Sequence, residues 1–391
     1  MKKTEISRKE FIKMSGLGFT GMAFAPGLLG PAGTFAGTAA GSSGKSYLLK
    51  NVRLETGFVY EEGEVVHTKT ELFCIEIKDG KIKSISANKP ESANAIDAKG
   101  WLMLPAFRDM HIHLDKTFYG GPWQATRRGQ GGVKGMIALE NKKDSFGAEL
   151  VVFPQHGVFY TDSVPWLKEA AKMDIDFIGG LDPYTIDGAI EKTIDFTVQL
   201  ALDNKKGIDI HLHESGESGL KTVEYLIKKV NENPALQHKT FLSHCFVLGR
   251  IDKVKQEQVA EQLAAAGIGI VSTIPFGGLI MPIPVLYKYN VNVMTGNDSI
   301  IDHWSTFGSG SVLEKAHTMA QLYGYSTEFL LSRSLKLATG NILPLDDKGV
   351  QQWPRAGDAA NLVLIDASCS AEAVARISPV RSLINKGQIV Y

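Results

Sequence analysis

Residues 110–114 have the sequence Met-His-Ile-His-Leu, and this stretch decides the fold. Apolar residues alternate with His111 and His113, which predicts a short β-strand with both imidazoles on one face. Further apolar runs follow at regular intervals along the chain. They are predicted as strands over Leu150–Phe153, Phe177–Gly180, Ile208–Leu212, Thr240–Ser243, Gly269–Ser272 and Val291–Thr295.

The segments between these strands have helical periodicity. Val164–Ala171, Ala189–Ala201, Gly219–Val230 and Val254–Ala266 repeat apolar residues at intervals of three and four. Alternating strands and helices are typical of a parallel sheet, and a spacing of roughly 31 residues per unit fits a (β/α)8 barrel. We therefore predict an α/β protein whose residues 105–345 form a distorted TIM-type (β/α)8 barrel.

The predicted barrel strands number seven, one fewer than a closed barrel requires. The segment between His113 and Gln155 contains Gly120-Gly121-Pro122, and only Val133–Leu139 could supply a strand there. Its composition suits a helical turn equally well. Either one strand is very short, or the barrel lacks one strand–helix unit.

Both ends of the chain contain short alternating strands. Asp79-Gly80 lies between two apolar runs and predicts a β-hairpin. Near the other end, Asn361–Ile365 is predicted as a strand and Lys386-Gly387 as the turn of a second hairpin. We predict that residues 46–104 and 346–391 together form a small β-sandwich beside the barrel.

Composition narrows the class of partner. The 42 Lys and Arg residues balance 42 Asp and Glu residues, so no field of one sign attracts nucleic acid or an anionic membrane. The balanced charge is more compatible with a small neutral substrate than with either of these partners. Cys74, Cys245 and Cys369 lack the C-x-x-C spacing of a zinc ribbon or redox pair, so we interpret them as buried small residues.

Residues 1–45 differ from the rest of the chain. Four basic residues within the first nine positions precede a weakly apolar, Gly- and Ala-rich run over residues 14–40. Ser7–Lys13 resembles a twin-arginine signal, with Lys9 where the second arginine is expected. We predict an export signal and an extracytoplasmic or periplasmic protein. The alternative is a disordered leader on a cytoplasmic enzyme. In neither case does an apolar run of membrane-spanning length follow.

Histidine and aspartate residues follow several predicted strands. His211, His244 and Asp298 each come at the end of one, and in a parallel barrel these ends lie on the catalytic face. Each could separately be a satisfied core or loop residue, but their common position favours a site. We predict that His111, His113, His211 and Asp298 bind a metal and leave one position open for water, with His244 beside that water.

Glu214 follows His211 by three residues, where the chain leaves the strand. A carboxylate there can take a proton from metal-bound water and pass it to a leaving nitrogen. The alternative is a surface or helix-capping glutamate, because Ser215-Gly216 follow at once. His213 and Glu217 compete for the proton-transfer role with less suitable spacing.

Together these motifs resemble those of bacterial cytosine deaminase and its relatives in the amidohydrolase superfamily. The resemblance covers most of the chain from Ser46 onward. The residues that carry it are Pro105, His111-Ile112-His113-Leu114-Asp115, Phe153-Pro154-Gln155, His211-x-x-Glu214, Ser243-His244 and Gly296-x-Asp298.

The resemblance implies a distorted barrel with a β-sandwich and one divalent ion, Fe2+ or Zn2+, held by the four predicted ligands. It also implies that Glu214 is the proton shuttle and that His244 steadies the hydroxide and the tetrahedral intermediate. Gln155 would hydrogen-bond the ring amide of the substrate, and Trp304 would pack on the ring.

Two departures from the family pattern bear on substrate and metal. Family members with two metals carry a lysine after the fourth strand, but Phe177–Pro183 has none, which supports a single metal. Relatives specific for cytosine have a second Asp after the metal-binding Asp, whereas this chain has Ser299. Ser299 is a shorter, neutral partner for the substrate. An amidine, a creatinine-like ring or a triazine therefore remains open.

We predict a metal-dependent hydrolase that attacks C–N bonds of small cyclic amidines, including nucleobase-like rings, with a metal-bound hydroxide. The alternative is a catalytically silent, internally shortened relative that binds metal or ligand. A purely structural exported domain would leave the ligand set without a purpose. Relatives are often oligomers, so a homo-oligomer remains open.

Overall fold

The computed structural model describes residues 46–113, 148–302 and 305–391. Within these residues the chain forms two β-sheets, one from its middle and one from its two ends. The predicted export signal over residues 1–45 lies outside the described residues. No helix in the described ranges combines the length and the apolar character needed to span a membrane.

Six parallel strands make up the sheet of the middle region, and each pairs with its neighbours in sequence. They are β6 (Val151–Val152), β7 (Phe177–Leu181), β8 (Gly207–His211), β9 (Thr240–Ser243), β10 (Ile268–Ser272) and β11 (Val293–Thr295). They match six of the predicted strands, with small differences at the ends. Strict sequential parallel pairing confirms the predicted distorted (β/α)8 barrel.

The first predicted barrel strand is only partly formed. Within Met110–His113, Ile112 makes an isolated parallel bridge to Asp298, just after β11. This segment therefore lies beside the last strand, where the first strand of a barrel belongs. Residues 114–147 lie outside the described residues, so the absence of one strand–helix unit stays a prediction.

Helices alternate with the strands as the periodicity predicts. They are α1 (Val164–Ala170), α2 (Ile190–Asn204), α3 (Glu217–Glu232), α4 (Lys253–Ala266), α5 (Ile283–Lys288), α6 (Val312–Leu322), α7 (Glu328–Ser334) and α8 (Lys336–Thr339). In α4 the Asp252 side chain accepts a hydrogen bond from the Lys255 amide, and Gly267 ends the helix in the left-handed region. These are favourable N-terminal and C-terminal caps.

The barrel core is apolar and continuous. Ile178, Ile208 and Ile210 on neighbouring strands are fully buried, and so are Val223 and Leu226 on α3. Burying each such side chain contributes about 1.5–3 kcal/mol. The residues of β8 are buried along its whole length, and His211 is the last of them.

Both chain ends contribute to the second sheet, in the order β14-β13-β12-β5-β1-β2-β3, with β4 paired to β1. Its strands are β1 (Tyr47–Glu61), β2 (Glu64–Lys78), β3 (Lys81–Ala87), β4 (Ile96–Asp97), β5 (Leu102–Pro105), β12 (Leu362–Ile365), β13 (Val380–Asn385) and β14 (Gln388–Ile389). A further helix, α9 (Ser370–Arg376), follows β12.

The sheet bends until its distant parts meet. The Ala360 amide donates to the Gly80 carbonyl (2.8 Å), and the Gly387 amide donates to the Ala360 carbonyl (3.0 Å). The predicted hairpin turns thus lie against each other over a separate apolar core. The domain borders at residues 104 and 346 stay a prediction. Cys74, Cys245 and Cys369 are buried and not joined by disulfides.

Candidate active site

Four imidazoles converge at the carboxyl ends of the barrel strands. The ring centroid of His111 lies 4.3 Å from that of His211, 5.1 Å from that of His113 and 5.2 Å from that of His244. The potential ligand atoms of His111, His211 and His244 lie within 4.8 Å of one another, as do those of His111, His113 and Asp298. All four predicted metal ligands and His244 are therefore brought together. We call these five residues the histidine cluster.

Asp298 joins the first and last barrel segments. Its Oδ1 lies 3.2 Å from His111 Nε2 and 3.3 Å from His113 Nε2. The Asp298 amide donates to the His111 carbonyl (2.6 Å), and the His113 amide donates to the Asp298 carbonyl (2.9 Å). Burial opposes ionisation, but hydrogen bonds from His111 and His113 hold the pKa of Asp298 well below its usual range. Asp298 is therefore a carboxylate, the form that binds metals.

Gly296 permits this close approach. A Cβ at this position would lie 2.5 Å from the Cβ of His111 and 2.6 Å from its backbone N and O. Asp109 reinforces the junction, because its Oδ1 accepts from the His111 amide (3.2 Å) and its Oδ2 accepts from Asn297 Nδ2 (2.6 Å). The close approach of His111 thus explains why the Gly296-x-Asp298 motif has a glycine at position 296.

His211 is held by a second buried carboxylate. Asp209 Oδ2 lies 3.1 Å from His211 Nε2, while its Oδ1 accepts from Ser243 Oγ (2.7 Å). Burial lowers the pKa of His211 to about 4, and burial together with nearby His213 lowers the pKa of His244. Both rings are therefore neutral at physiological pH, as metal ligation by imidazole requires.

Glu214 is buried in the turn after β8. Its Oε1 accepts hydrogen bonds from the Tyr184 amide (2.9 Å) and the Thr185 amide (2.8 Å). Its Oε2 is buried without a hydrogen-bond partner among the described residues. Helix α3 has Gly216 as its N-cap and no side-chain cap, so the helix-capping alternative for Glu214 is wrong. One carboxylate oxygen is therefore anchored by two amides, and the other has no hydrogen-bond partner among the described residues.

Three residues that the sequence analysis did not assign lie against the histidine cluster or its turns. The Phe153 ring lies 4.1 Å from the His211 ring and 6.1 Å from the His113 ring. Asp182 holds the turn after β8 through His213, and Asp209 holds His211. Each lies in or directly after a barrel strand. The positional rule that identified the histidines covers Phe153 and Asp182, which directly follow β6 and β7, but not Asp209, which lies within β8.

The predicted substrate-binding residues lie beside the site elements. Gln155 is half-buried in the turn after β6, and Ser299 is half-buried directly after Asp298. Their contacts with a substrate stay predictions. Trp304 lies outside the described residues.

The residues present fit a divalent metal ion. Imidazoles and one ionised carboxylate form the donor set of zinc and non-haem iron sites. His244 Nδ1 is buried and, like Glu214 Oε2, has no hydrogen-bond partner in the described part of the chain. Such atoms are expected where a metal site also binds water and substrate.

Comparison with known proteins gives concordant matches. The sequence model described as "Amidohydrolase family" matches residues 167–391. The uncharacterized protein YahJ of Escherichia coli strain K12 is 42% identical, over 88% of this chain and 87% of its own length.

Two solved structures share the fold over 88% of this chain. N-isopropylammelide isopropylaminohydrolase from Burkholderia multivorans superimposes with a TM-score of 0.74 at 23% identity and is covered over 97% of its length. 5-Methylcytosine deaminase from Klebsiella pneumoniae superimposes with a TM-score of 0.70 at 21% identity and is covered over 98%.

Proposed function

The chain belongs to the amidohydrolase family, and from this premise we propose that it hydrolyses C–N bonds of small cyclic amidines. The observation that carries the proposal is the histidine cluster at the barrel strand ends, with the half-anchored carboxylate of Glu214 on the same face. Hydrolysis of a C–N bond is the reaction class that the family supports. The amidine substrate and the roles of individual residues are the proposal.

One ion, Zn2+ or Fe2+, would be held by His111, His113, His211 and Asp298. When bound, such an ion lowers the pKa of water towards neutrality and stabilises the charge that develops on the substrate. The side chains that hold it are already ordered by Asp109, Asp209 and the backbone around Asp298. Because these side chains are already in place, they need not reorganise during the reaction, and such reorganisation would slow it.

Glu214 would move the proton. Its Oε2 would accept a proton from the attacking water and deliver it to the ring nitrogen of the amidine as the C–O bond forms. It would then pass the remaining hydroxyl proton to the leaving nitrogen as the C–N bond breaks, so that the amidine carbon becomes a carbonyl and ammonia or an amine departs. The two amides on Oε1 fix the carboxylate during this transfer. His244, a neutral ring beside His111 and His211, would donate a hydrogen bond to the developing oxyanion.

The substrate would be a flat, nitrogen-rich ring. Gln155 would hydrogen-bond its ring amide, Trp304 would pack on its face, and Ser299 would contact it as a neutral partner. The structural neighbours act, by their names, on N-isopropylammelide and 5-methylcytosine. Because Ser299 replaces an aspartate of the cytosine-specific enzymes, a triazine or creatinine-like ring fits better than cytosine.

Release of ammonia or amine from a panel of cytosine, isocytosine, creatinine and triazines tests this function, with protein loaded with zinc or iron. We expect Glu214→Gln to lower kcat by about 10²–10⁴-fold, because the general base is lost. The matched control is Glu217→Gln, whose side chain is 81% exposed and pairs with Lys221, and which should keep the parent rate. One equivalent of bound metal with no turnover on any ring would instead favour the catalytically silent relative.

We also propose that the protein is exported from the cytoplasm. Export is supported by the basic start and the Gly- and Ala-rich run of residues 1–45, together with the similarity of Ser7–Lys13 to a twin-arginine signal. A route that carries folded proteins would suit a metal site assembled before export.

A further inference from the structure

His213 forms an outer layer over the histidine cluster. Its ring centroid lies 4.2 Å from that of His244, with an interplanar angle of 33°. The His244 ring in turn lies 5.2 Å from His111 and 5.7 Å from His211. The His213 side chain is 42% exposed, whereas His244 is buried. His213 therefore covers the solvent side of a ring that faces the metal ligands.

Asp182, directly after β7, holds His213 and its neighbour in place. Its Oδ2 lies 2.9 Å from His213 Nδ1, and its Oδ1 accepts from the His213 amide (2.6 Å) and the Glu214 amide (3.2 Å). A single carboxylate thus fixes the His213 ring and the backbone of Glu214. Because the Asp182 carboxylate binds both the His213 ring and the backbone amides that follow β8, the turn after β8 has little conformational freedom.

Ring contacts, rather than a hydrogen bond at Nδ1, restrain the buried side chain of His244. Its Nδ1 is buried without a hydrogen-bond partner in the described ranges, so no hydrogen bond at that atom sets the plane of the ring. Its backbone and that of Cys245 are both left-handed, with φ of 68° and 47°. This conformation is unfavourable for a side chain with a Cβ and persists only when the surroundings fix it. The rings of His213 and Phe246 are part of those surroundings.

We propose that Asp182 and His213 form a positioning pair that sets the orientation of His244 and Glu214. The inference rests on the proposed function for its kinetic consequences, but the geometry that it concerns is independent of any substrate. A phenyl ring at position 213 could pack on His244 but could not bond to Asp182. The pair therefore combines a stacking surface with an anchor.

Kinetics separate positioning from a general loss of structure. We expect His213→Ala to lower kcat at least about tenfold with KM changed less than about threefold, because small displacements of catalytic groups reduce the rate strongly. His213→Phe should recover part of that loss, since the stacking ring returns. Asp182→Asn should resemble His213→Ala. His67→Ala, on the exposed face of β2, is the control and should retain the parent kcat.

Imidazole NMR tests the pair without any substrate. In the zinc-loaded full chain, Asp182→Ala, which removes the anchor but keeps both rings, should shift or broaden the ring signals of His244, assigned with His244→Asn, while bound zinc stays at the parent stoichiometry. Unchanged His244 signals, or a kcat equal to that of the parent in His213→Ala, would overturn the pairing. If no ring in the panel is hydrolysed by any variant, the proposed function fails while the NMR result still decides the positioning pair.

Discussion

Two regions of this molecule bury polar side chains, and the two regions serve different purposes. One is the histidine cluster at the barrel strand ends. The other, which we call the Glu55 cluster, consists of Glu55, Glu328, Arg333 and Cys369 between the terminal sheet and helices α7 and α9. Both contain charged groups with little exposure. Glu55, for example, is only 2% exposed.

The two clusters differ in what their polar atoms face. In the Glu55 cluster, Glu55 Oε1 accepts from the Ser370 amide (2.6 Å), and Arg333 Nη1 donates to the Leu345 carbonyl (2.8 Å). In the histidine cluster, potential ligand atoms face one another. Each cluster also has a buried atom without a partner among the described residues, such as Glu55 Oε2 and His244 Nδ1. Convergence of ligand atoms, rather than burial or an unpartnered atom, is therefore the feature that indicates chemistry.

The largest expected effect comes from a substitution that disrupts the histidine cluster without replacing any of its residues. Gly296→Ala places a Cβ 2.5 Å from His111 Cβ, so the last barrel segment must move away from the first. We expect metal affinity to fall by about 10–100-fold or more, as when groups that orient ligands are lost. Metal content after gel filtration measures this. Gly57→Ala, whose Cβ would meet only the Gly349 carbonyl at 3.7 Å, is the control. Full metal content in Gly296→Ala would contradict the steric argument.

The next effect concerns stability rather than chemistry. Arg333→Met removes the buried guanidinium that lies 5.5 Å from the ring centroid of Phe58 and 5.4 Å from that of Phe329, near Glu55. We expect the free energy of unfolding to fall by about 1–3 kcal/mol, because the Leu345 carbonyl loses the buried donor that Arg333 supplies. Metal bound per folded molecule should not change. Arg381→Met, which breaks a more exposed pair with Asp366, should cost at most about 1 kcal/mol. Urea denaturation measures both, and equal losses would remove the distinction between the sites.

The smallest effect is a pH dependence of opposite sign at two glutamates. Burial raises the pKa of Glu55 above its ordinary value of 4.5, so the folded state binds its proton more tightly than the unfolded state. The stability due to Glu55 is therefore present at low pH and is lost as pH rises. Glu55→Gln should gain stability relative to the parent as pH increases from 4.5 to 8.

Glu76 on β2 is the matched opposite case. A hydrogen bond from Lys83 lowers the pKa of Glu76, so its contribution is present at neutral pH and lost as the solution is acidified. Glu76→Gln should therefore be less stable than the parent at pH 7 and approach it at low pH. Denaturation midpoints at several pH values compare the two variants. The same slope for both would show that burial does not govern Glu55.

Much of the fold could be predicted because barrel strands are short, apolar and evenly spaced. The convergence of the histidine cluster followed from position, since His211, His244 and Asp298 each come just after or at the end of such a strand. Met110–His113 did not form a full strand, because its pairing is limited to Ile112. Local pattern cannot show how far pairing extends.

The supporting carboxylates were harder to predict. Asp182 and Asp209 occupy strand positions like those of the ligands, but aspartate is common in loops, and its partners become evident only when strands are placed side by side. The bent terminal sheet was also hidden, because the bonds that join Gly80, Ala360 and Gly387 connect turns far apart in sequence.

The bridge between Ile112 and Asp298 also constrains the time course of folding. The His111 and Asp298 side chains that meet there are 187 positions apart, and a contact of this separation closes a long loop before it gains any compensating interaction. During synthesis, His111 and His113 leave the ribosome long before Asp298 exists. The complete histidine cluster therefore arises late and cooperatively, with barrel closure, and an unfinished chain would offer a metal ion only part of the predicted ligand set.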